Sequence, residues 1–379
     1  MKRFLSHFTF LFVGSSLLPS CTDPVVPEFE FRPGLVFVEG FVATDPGVSF
    51  VTLNESALEF GFYAVNTITG ADVSFENLGT GEIVPLTEKE DIYLPPSEFE
   101  VEPGESWKLL VNIPDGRSFE SSPELVLHPV EIKNLEVEYD PELEFRELFG
   151  GIFVPGHEAF VSFDDPVEEE NFYYWTYRTY ENLDFCAKCD ETIYRDGECV
   201  SAGAAISGWP FFFYPCETEC WRIRFPESIS IFDDRFSDGK SISKLSVGNI
   251  LLYTDENMVL EVQQLSITPA AHQYYKVLKD IVDNSSGLNA PPPAALVGNL
   301  FNPNDSEDFI FGRFTAAGTS TASVFIDRSK ILESPIEEDF RQPLFEPAFM
   351  SPFPPPVTIS IPCVEGRYRT TIKPPGWID

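Results

Sequence analysis

Trp107-Lys108-Leu109-Leu110-Val111-Asn112-Ile113 is the stretch that decides the fold. Trp107, Leu109, Val111 and Ile113 fall two apart, with Lys108, Leu110 and Asn112 between them. A strand sends successive side chains to opposite faces, so this spacing predicts a half-buried β-strand. Asp115-Gly116 follows as a turn. Working outward, Leu35 to Val42 is almost continuously apolar, and Ser49 to Leu53 follows the turn at Asp45-Pro46-Gly47, which predicts a hairpin. On the other side, Leu135, Val137 and Tyr139 alternate with Asn134, Glu136 and Glu138. Short strands separated by Gly and Pro turns predict a β-sandwich over residues 34–129.

Residues 130–379 continue the pattern and predict a larger β-rich domain. Strand signals fall at 160–163, 173–177, 250–253, 258–265, 323–326 and 367–373. One helix is predicted over 269–283. Thr268 is a good N-cap, Pro269 suits a first turn, and Ala271, Tyr274, Tyr275, Leu278, Ile281 and Val282 keep helical spacing up to the stop at Gly287. The expected class is therefore mainly β, an N-terminal β-sandwich followed by a larger β-rich domain with one helix.

Composition narrows the function. The 379 residues hold 61 acidic against 25 basic side chains, a net charge of -36, with 36 Phe, 33 Pro and 3 Met. Such a surface repels phosphate backbones, so nucleic acid is excluded as a partner. Lys2 and Arg3 precede an uncharged apolar run from Phe4 to Leu18, too short for a bilayer span of about 20 residues. The run ends in Leu18-Pro19-Ser20-Cys21, which resembles the lipobox of a bacterial lipoprotein. Residues 1–20 then form a signal peptide and Cys21 carries the acyl chains; a plain secretory signal is the alternative. Residues 21–33 are Pro-rich and acidic and read as an extended tether. Thr22 stands where Asp would favour inner-membrane retention, so an outer-membrane, lipid-anchored location is expected, on the cell surface rather than the periplasmic face.

Six further cysteines are present: Cys186, Cys189, Cys199, Cys216, Cys220 and Cys363. Five of them lie in a Cys-rich insert, 181–222. An even number in an exported chain predicts disulfides, with zinc thiolates as the alternative and the connectivity open. The insert has little periodicity and no evident core of its own. Inside it runs Trp209-Pro210-Phe211-Phe212-Phe213-Tyr214. This cluster is either a small core beneath the staples or a contact surface. Since a strand alternates, about half of it should face outward, and Trp209, Phe211, Phe212, Phe213 and Tyr214 are the candidate partner contacts.

Catalytic chemistry is sparse in the sequence. Beyond the signal only His128, His157 and His272 remain, far apart in the chain. Asp238-Gly239-Lys240-Ser241 ends like a P-loop, but Asp234 stands where the upstream glycine is needed. The oxygen-rich Asn302 to Asp308 run lacks the spacing and central Gly of a calcium loop. We expect no catalytic residue, no metal and no cofactor.

The order of several short motifs resembles a known family. Leu35-Val36-Phe37-Val38-Glu39-Gly40 follows the lipobox; Thr69-Gly70-Ala71-Asp72-Val73, Tyr93-Leu94-Pro95-Pro96 and Glu102-Pro103-Gly104-Glu105-Ser106-Trp107 come next. Pro114-Asp115-Gly116-Arg117, Phe172-Tyr173-Tyr174-Trp175 and Cys220-Trp221 follow in turn. Asp234-Arg235-Phe236-Ser237-Asp238-Gly239 and Tyr274-Tyr275-Lys276-Val277-Leu278 come after them. Pro291-Pro292-Pro293, Gly298-Asn299-Leu300-Phe301 and Phe311-Gly312-Arg313-Phe314 close the series. Together they resemble the lipoprotein family called domain of unknown function 4249. The resemblance implies an N-terminal immunoglobulin/transthyretin-like β-sandwich and an envelope lipoprotein often encoded near TonB-dependent outer-membrane transporters, and transfers no catalytic residue. The expected function is a non-enzymatic accessory or substrate-capture subunit of such a transporter. A structural or assembly lipoprotein is the alternative, and a secreted-type hydrolase the third reading.

Overall fold

The computed structural model describes residues 33–59, 62–167, 170–201, 211–284, 296–336, 343–346 and 358–378. Cys21, Trp209 and Pro210 lie outside the described residues, as does the tether up to Arg32. Strand β1 (Val36–Ala43) pairs antiparallel with β2 (Phe50–Glu59), and β3 (Phe62–Thr67) returns along β2. Two small hairpins follow, β4 (Asp72–Asn77) with β5 (Ile83–Pro85), and β6 (Thr87–Lys89) with β7 (Ile92–Leu94). Next come β8 (Ser106–Asn112), β9 (Ser118–Ser121) and β10 (Glu124–Leu125). In β8 the predicted alternation holds: Trp107, Leu109 and Val111 are buried, and Lys108 and Leu110 are partly covered.

A long hairpin of β11 (Ile132–Arg146) and β12 (Ile152–Asp164) leads to β13 (Phe172–Asn182). The Cys-rich insert holds β14 (Phe185–Asp190), β15 (Ile193–Arg195), β16 (Glu198–Val200) and β17 (Phe211–Pro215). Then come β18 (Trp221–Arg224), β19 (Ser230–Asp233), β20 (Ser241–Leu251) and β21 (Met258–Ser266). Helix α1 (Pro269–Asn284) precedes β22 (Leu300–Phe301), β23 (Ile310–Ile326) and β24 (Arg369–Thr370). The Thr268 hydroxyl accepts from the Ala271 amide at 3.3 Å, the cap expected from sequence.

The fold is mainly β, built on one curled 11-stranded sheet ordered β24-β18-β13-β21-β23-β1-β2-β7-β6, with β19 and β3 beside it. The 17-residue β23 makes this sheet continuous. Its first half runs parallel to β1, Ile310 opposite Val36, and its second half antiparallel to β21, Ile326 opposite Met258. Strands on both sides of residue 129 therefore share a sheet, and the described residues from Pro33 onward form one compact unit. Gly312 makes the parallel pairing possible: at φ 108°, a Cβ there would lie 1.8 Å from the Val38 carbonyl oxygen.

One face of the curled sheet packs against two smaller sheets. Val36, Val38, Val51, Leu53 and Phe314 meet Phe75, Trp107, Leu109 and Phe119 of the six-stranded sheet. Tyr173, Trp175, Tyr177, Leu260 and Val262 meet Ala159, Val161, Phe163 and Val247 of the three-stranded β11-β12-β20 sheet. The opposite face is where the site lies.

Candidate functional site

Alternation along β13 puts Tyr173, Trp175 and Tyr177 into the core and turns Tyr174, Thr176, Arg178 and Tyr180 to the other face. Gln263 and Leu265 of β21, and Glu39 and Phe41 of β1, share that face by the same rule. They line a trough of about 760 Å³, within the range of roughly 300–1,000 Å³ that holds drug-sized ligands. Helix α1 closes one end: Tyr275 stacks on Tyr174 with ring centroids 4.5 Å apart, and Phe41 and Leu265 pack in the same cluster. Toward the other end Tyr180 and Ile223 join Trp221, Phe325 and Trp377.

The remaining wall comes from the two edges of the sheet. β6 and β7, followed by Pro95 and Pro96, supply one side, and residues 365–375 supply the other. The two edges meet where the Arg367 amide donates to Asp91 Oδ1 at 3.2 Å. The Arg367 guanidinium sits between aromatic rings, 5.1 Å from the Phe50 centroid and 4.9 Å from Phe225. Its Nη2 reaches Glu39 at 3.2 Å, and its Nε is buried without a partner. Arg178 is fixed by donating to the Gly47 carbonyl at 2.6 Å. The trough thus offers stacking surfaces, prolines, two oriented guanidinium groups, the Lys89 ammonium and two carboxylates, Glu39 and Glu365. That set can hold an amphipathic organic molecule. The described lining residues contain no histidine or cysteine to serve as a base or nucleophile.

The six cysteines form three disulfides, Cys186–Cys216, Cys189–Cys199 and Cys220–Cys363. The last ties the C-terminal wall of the trough to the start of β18. The aromatic run behaves differently from expectation. Phe211, Phe212, Phe213 and Tyr214 are all buried. Phe212 and Tyr214 pack with the cystines, Ile193 and Ile361 in a small core, so the insert does have one. Phe213 meets Phe185 at 5.0 Å, and Lys188 lies over the Phe211 and Phe213 rings. The expected outward half, Phe211 and Phe213, is thus covered by Phe185 and the Lys188 side chain, and residues 343–346 are bonded to the same strand: Phe213 N donates to the Leu344 carbonyl, and the Tyr214 hydroxyl to Glu346, both bonds spanning more than a hundred residues. These four side chains are therefore core, not a free contact surface.

His128 is exposed, His157 is buried beside Tyr139, and the His272 ring lies tilted against Phe172 with centroids 4.9 Å apart. Asn302 and Asp305 turn their oxygens onto nearby backbone amides, and Asn302 Nδ2 donates to Asp308. Asp165, Asp234 and Asp238 bring carboxylate oxygens within 4.8 Å of one another. Asp165 accepts from the Tyr173 hydroxyl and the Gly239 amide, Asp234 from Asn171, and burial raises the Asp165 carboxyl above its usual range. The sequence did not reveal this cluster or the trough. The one available signal was Tyr173 to Tyr177, where aromatic and polar groups on both faces of one strand mean that both faces have work.

Fold and site together define a class: a mainly β protein whose largest sheet keeps one face for a ligand-sized aromatic trough. Residues 22–323 match the family described as domain of unknown function (DUF4249), and the chain belongs to that family. The match ends before the C-terminal wall of the trough and before Cys363. No curated protein matches the chain.

Proposed function

We propose that this chain is an outer-membrane lipoprotein, anchored by acyl chains on Cys21, that captures an organic ligand in the trough as an accessory subunit of a TonB-dependent transporter. The observation that carries the capture role is the open face of the main sheet. Its rings and fixed guanidinium groups are held in shape before any ligand arrives, which lowers the ordering cost of binding. The lipobox-like Leu18-Pro19-Ser20-Cys21 supports the anchor, and the family resemblance supports the transporter as company. We read the role as binding rather than catalysis. An assembly role draws on a different observation, the exposed Phe145, Phe149, Ile152 and Phe153 at the tip of the β11–β12 hairpin.

Protein purified from its native membranes tests this reading. Denaturation should release a small molecule detectable by mass spectrometry, and an outer-membrane transporter should co-purify. Thr176→Trp, which fills the trough floor, should empty the site and leave the transporter attached. Cys21→Ala should release the protein from carbonate-washed membranes. Stable protein partners with no small molecule would establish the assembly reading instead. Chemical turnover of the released molecule on incubation would favour the hydrolase.

A further inference from the structure

The described chain begins at Pro33–Gly34, and the surface around that point is apolar. Phe62, Val65, Leu58 and Phe309 are 77%, 68%, 53% and 70% exposed. The register places them together. Gly34 N donates to the Ser56 carbonyl at 2.7 Å, Ser56 stands opposite Val65, and Ile310, next to Phe309, stands opposite Val36. Arg117 Nη1 donates to the Gly34 carbonyl at 3.3 Å, so the point of chain entry is fixed to the sheet. Cross-strand partners share a face, which puts Leu58, Val65 and Phe309 on one side of the hairpin end and Phe62 on the other.

From this arrangement we infer that the exposed Leu58 of β2 and Phe62 and Val65 of β3, with Phe309 beside them, form a membrane-contact wedge that dips into the lipid interface next to the anchor. The inference rests on acylation of Cys21. Eleven residues, Thr22 to Arg32, separate Cys21 from Pro33. At ~3.3–3.6 Å each, they cannot hold the chain entry more than about 40 Å from the lipid. Exposed apolar side chains on both faces of a narrow hairpin suit immersion in an isotropic medium. A protein groove would cover one face and leave the other wet. Glu55, Glu59, Glu307 and Asp308 surround the patch, so the contact does not depend on anionic headgroups. Since the acyl chains supply retention, the wedge supplies orientation, setting which way the trough faces.

Acylated full-length mature protein in zwitterionic phosphatidylcholine vesicles containing a photoactivatable lipid provides the test. Peptide mapping should find lipid adducts within residues 56–66 and around Phe309. Phe62→Ser combined with Val65→Ser should cut that labelling about ten-fold, leaving the melting temperature and the trough's small-molecule content unchanged. Labelling centred on the 145–153 tip, or confined to the acylated N-terminal peptide, would overturn the inference while leaving the anchor and the trough intact. Cross-linking of the same hairpin to a β-barrel protein, with no lipid adduct, would assign it to a protein partner and also overturn it. If Cys21→Ala fails to release the protein, the anchor reading itself falls, whatever the labelling pattern.

Discussion

Arg328 donates to Glu181 across 2.9 Å, with the two side chains 0% and 3% exposed and 147 residues apart in the chain. Glu181 is the penultimate residue of the trough strand β13, and Arg328 follows β23, so the pair locks the far end of the main sheet. Arg328 also donates to the carbonyls of Thr254 and Glu256, while Glu181 accepts from Arg224 at 3.0 Å. Burial lowers the Arg328 pKa below its ordinary value, and Glu181 opposes that shift. Taking two charges out of water is compensated here only because each has its partner.

Removing the carboxylate should therefore cost more than removing the guanidinium. Glu181→Ala leaves Arg328 charged, buried and without a counter-ion, and should destabilise by about 3–5 kcal/mol in urea unfolding. Arg328→Met leaves Glu181 still paired with Arg224, and its cost should be clearly smaller. Equal costs would mean that the pair does not carry the energetics assigned to it.

The disulfides should separate by what they hold. Cys220–Cys363 closes a sequence separation of 143 and fixes the wall carrying Arg367; Cys189–Cys199 closes a separation of 10. Cys220→Ser with Cys363→Ser should lose about 4–5 kcal/mol and the trough's small molecule together. Cys189→Ser with Cys199→Ser should lose about half as much energy and keep the small molecule. Mass spectrometry of the denatured eluate, alongside thermal melts, reads both.

Much of this architecture was legible locally. The alternation of Trp107, Leu109 and Val111, the Asp45-Pro46-Gly47 hairpin, and the cap at Thr268 each fix a structure with information inside a dozen residues. β23 was legible only at its end. Thr315-Ala316-Ala317-Gly318-Thr319-Ser320 shows no period of two, because both faces are crowded: a Cβ on Gly318 would lie 2.2 Å from the Leu127 carbonyl oxygen. Small residues there answer to backbones far away in sequence. The trough is illegible for the same reason, since Phe50, Tyr174, Phe225 and Arg367 reach it from four separate segments. Alternation in the 211–214 run correctly implied two faces, but nothing within the run announced the cover that Phe185 and Lys188 place over the second.

His157 gives a pH dependence whose sign is fixed. Burial, helped by the nearby Arg328 charge, pushes its pKa down to about 4 from the usual 6.5. Between those values the unfolded chain binds a proton that the folded protein does not, so stability falls as pH drops from 6.5 toward 4. Above 6.5 both states are neutral and the contribution is complete. The loss from this group amounts to about 3 kcal/mol by pH 4. His157→Gln removes the titration. The stability gap between variant and wild type, measured at pH 7 and again near pH 4.5, should move in the variant's favour by about 2 kcal/mol. Parallel curves would mean that the imidazole reaches solvent in the folded state.

Phe212 decides between two roles for the aromatic run. Its side chain is buried, opposite Cys189 in the β14–β17 ladder, and packs with the cystines, Tyr214 and Ile361. A ring in that position contributes by filling volume that no neighbour can recover, because the disulfides and the short ladder prevent collapse around a cavity. Phe212→Ala should accordingly cost about 3–5 kcal/mol. Phe212→Leu, which keeps most of the volume, should cost under about half of that. Partner or ligand capture by the folded fraction should be unchanged in both variants. The paired measurement is a chemical melt, with capture assayed well below its midpoint. A Phe212→Ala protein that melts like wild type but no longer captures its ligand would return the run to the binding surface and remove it from the core.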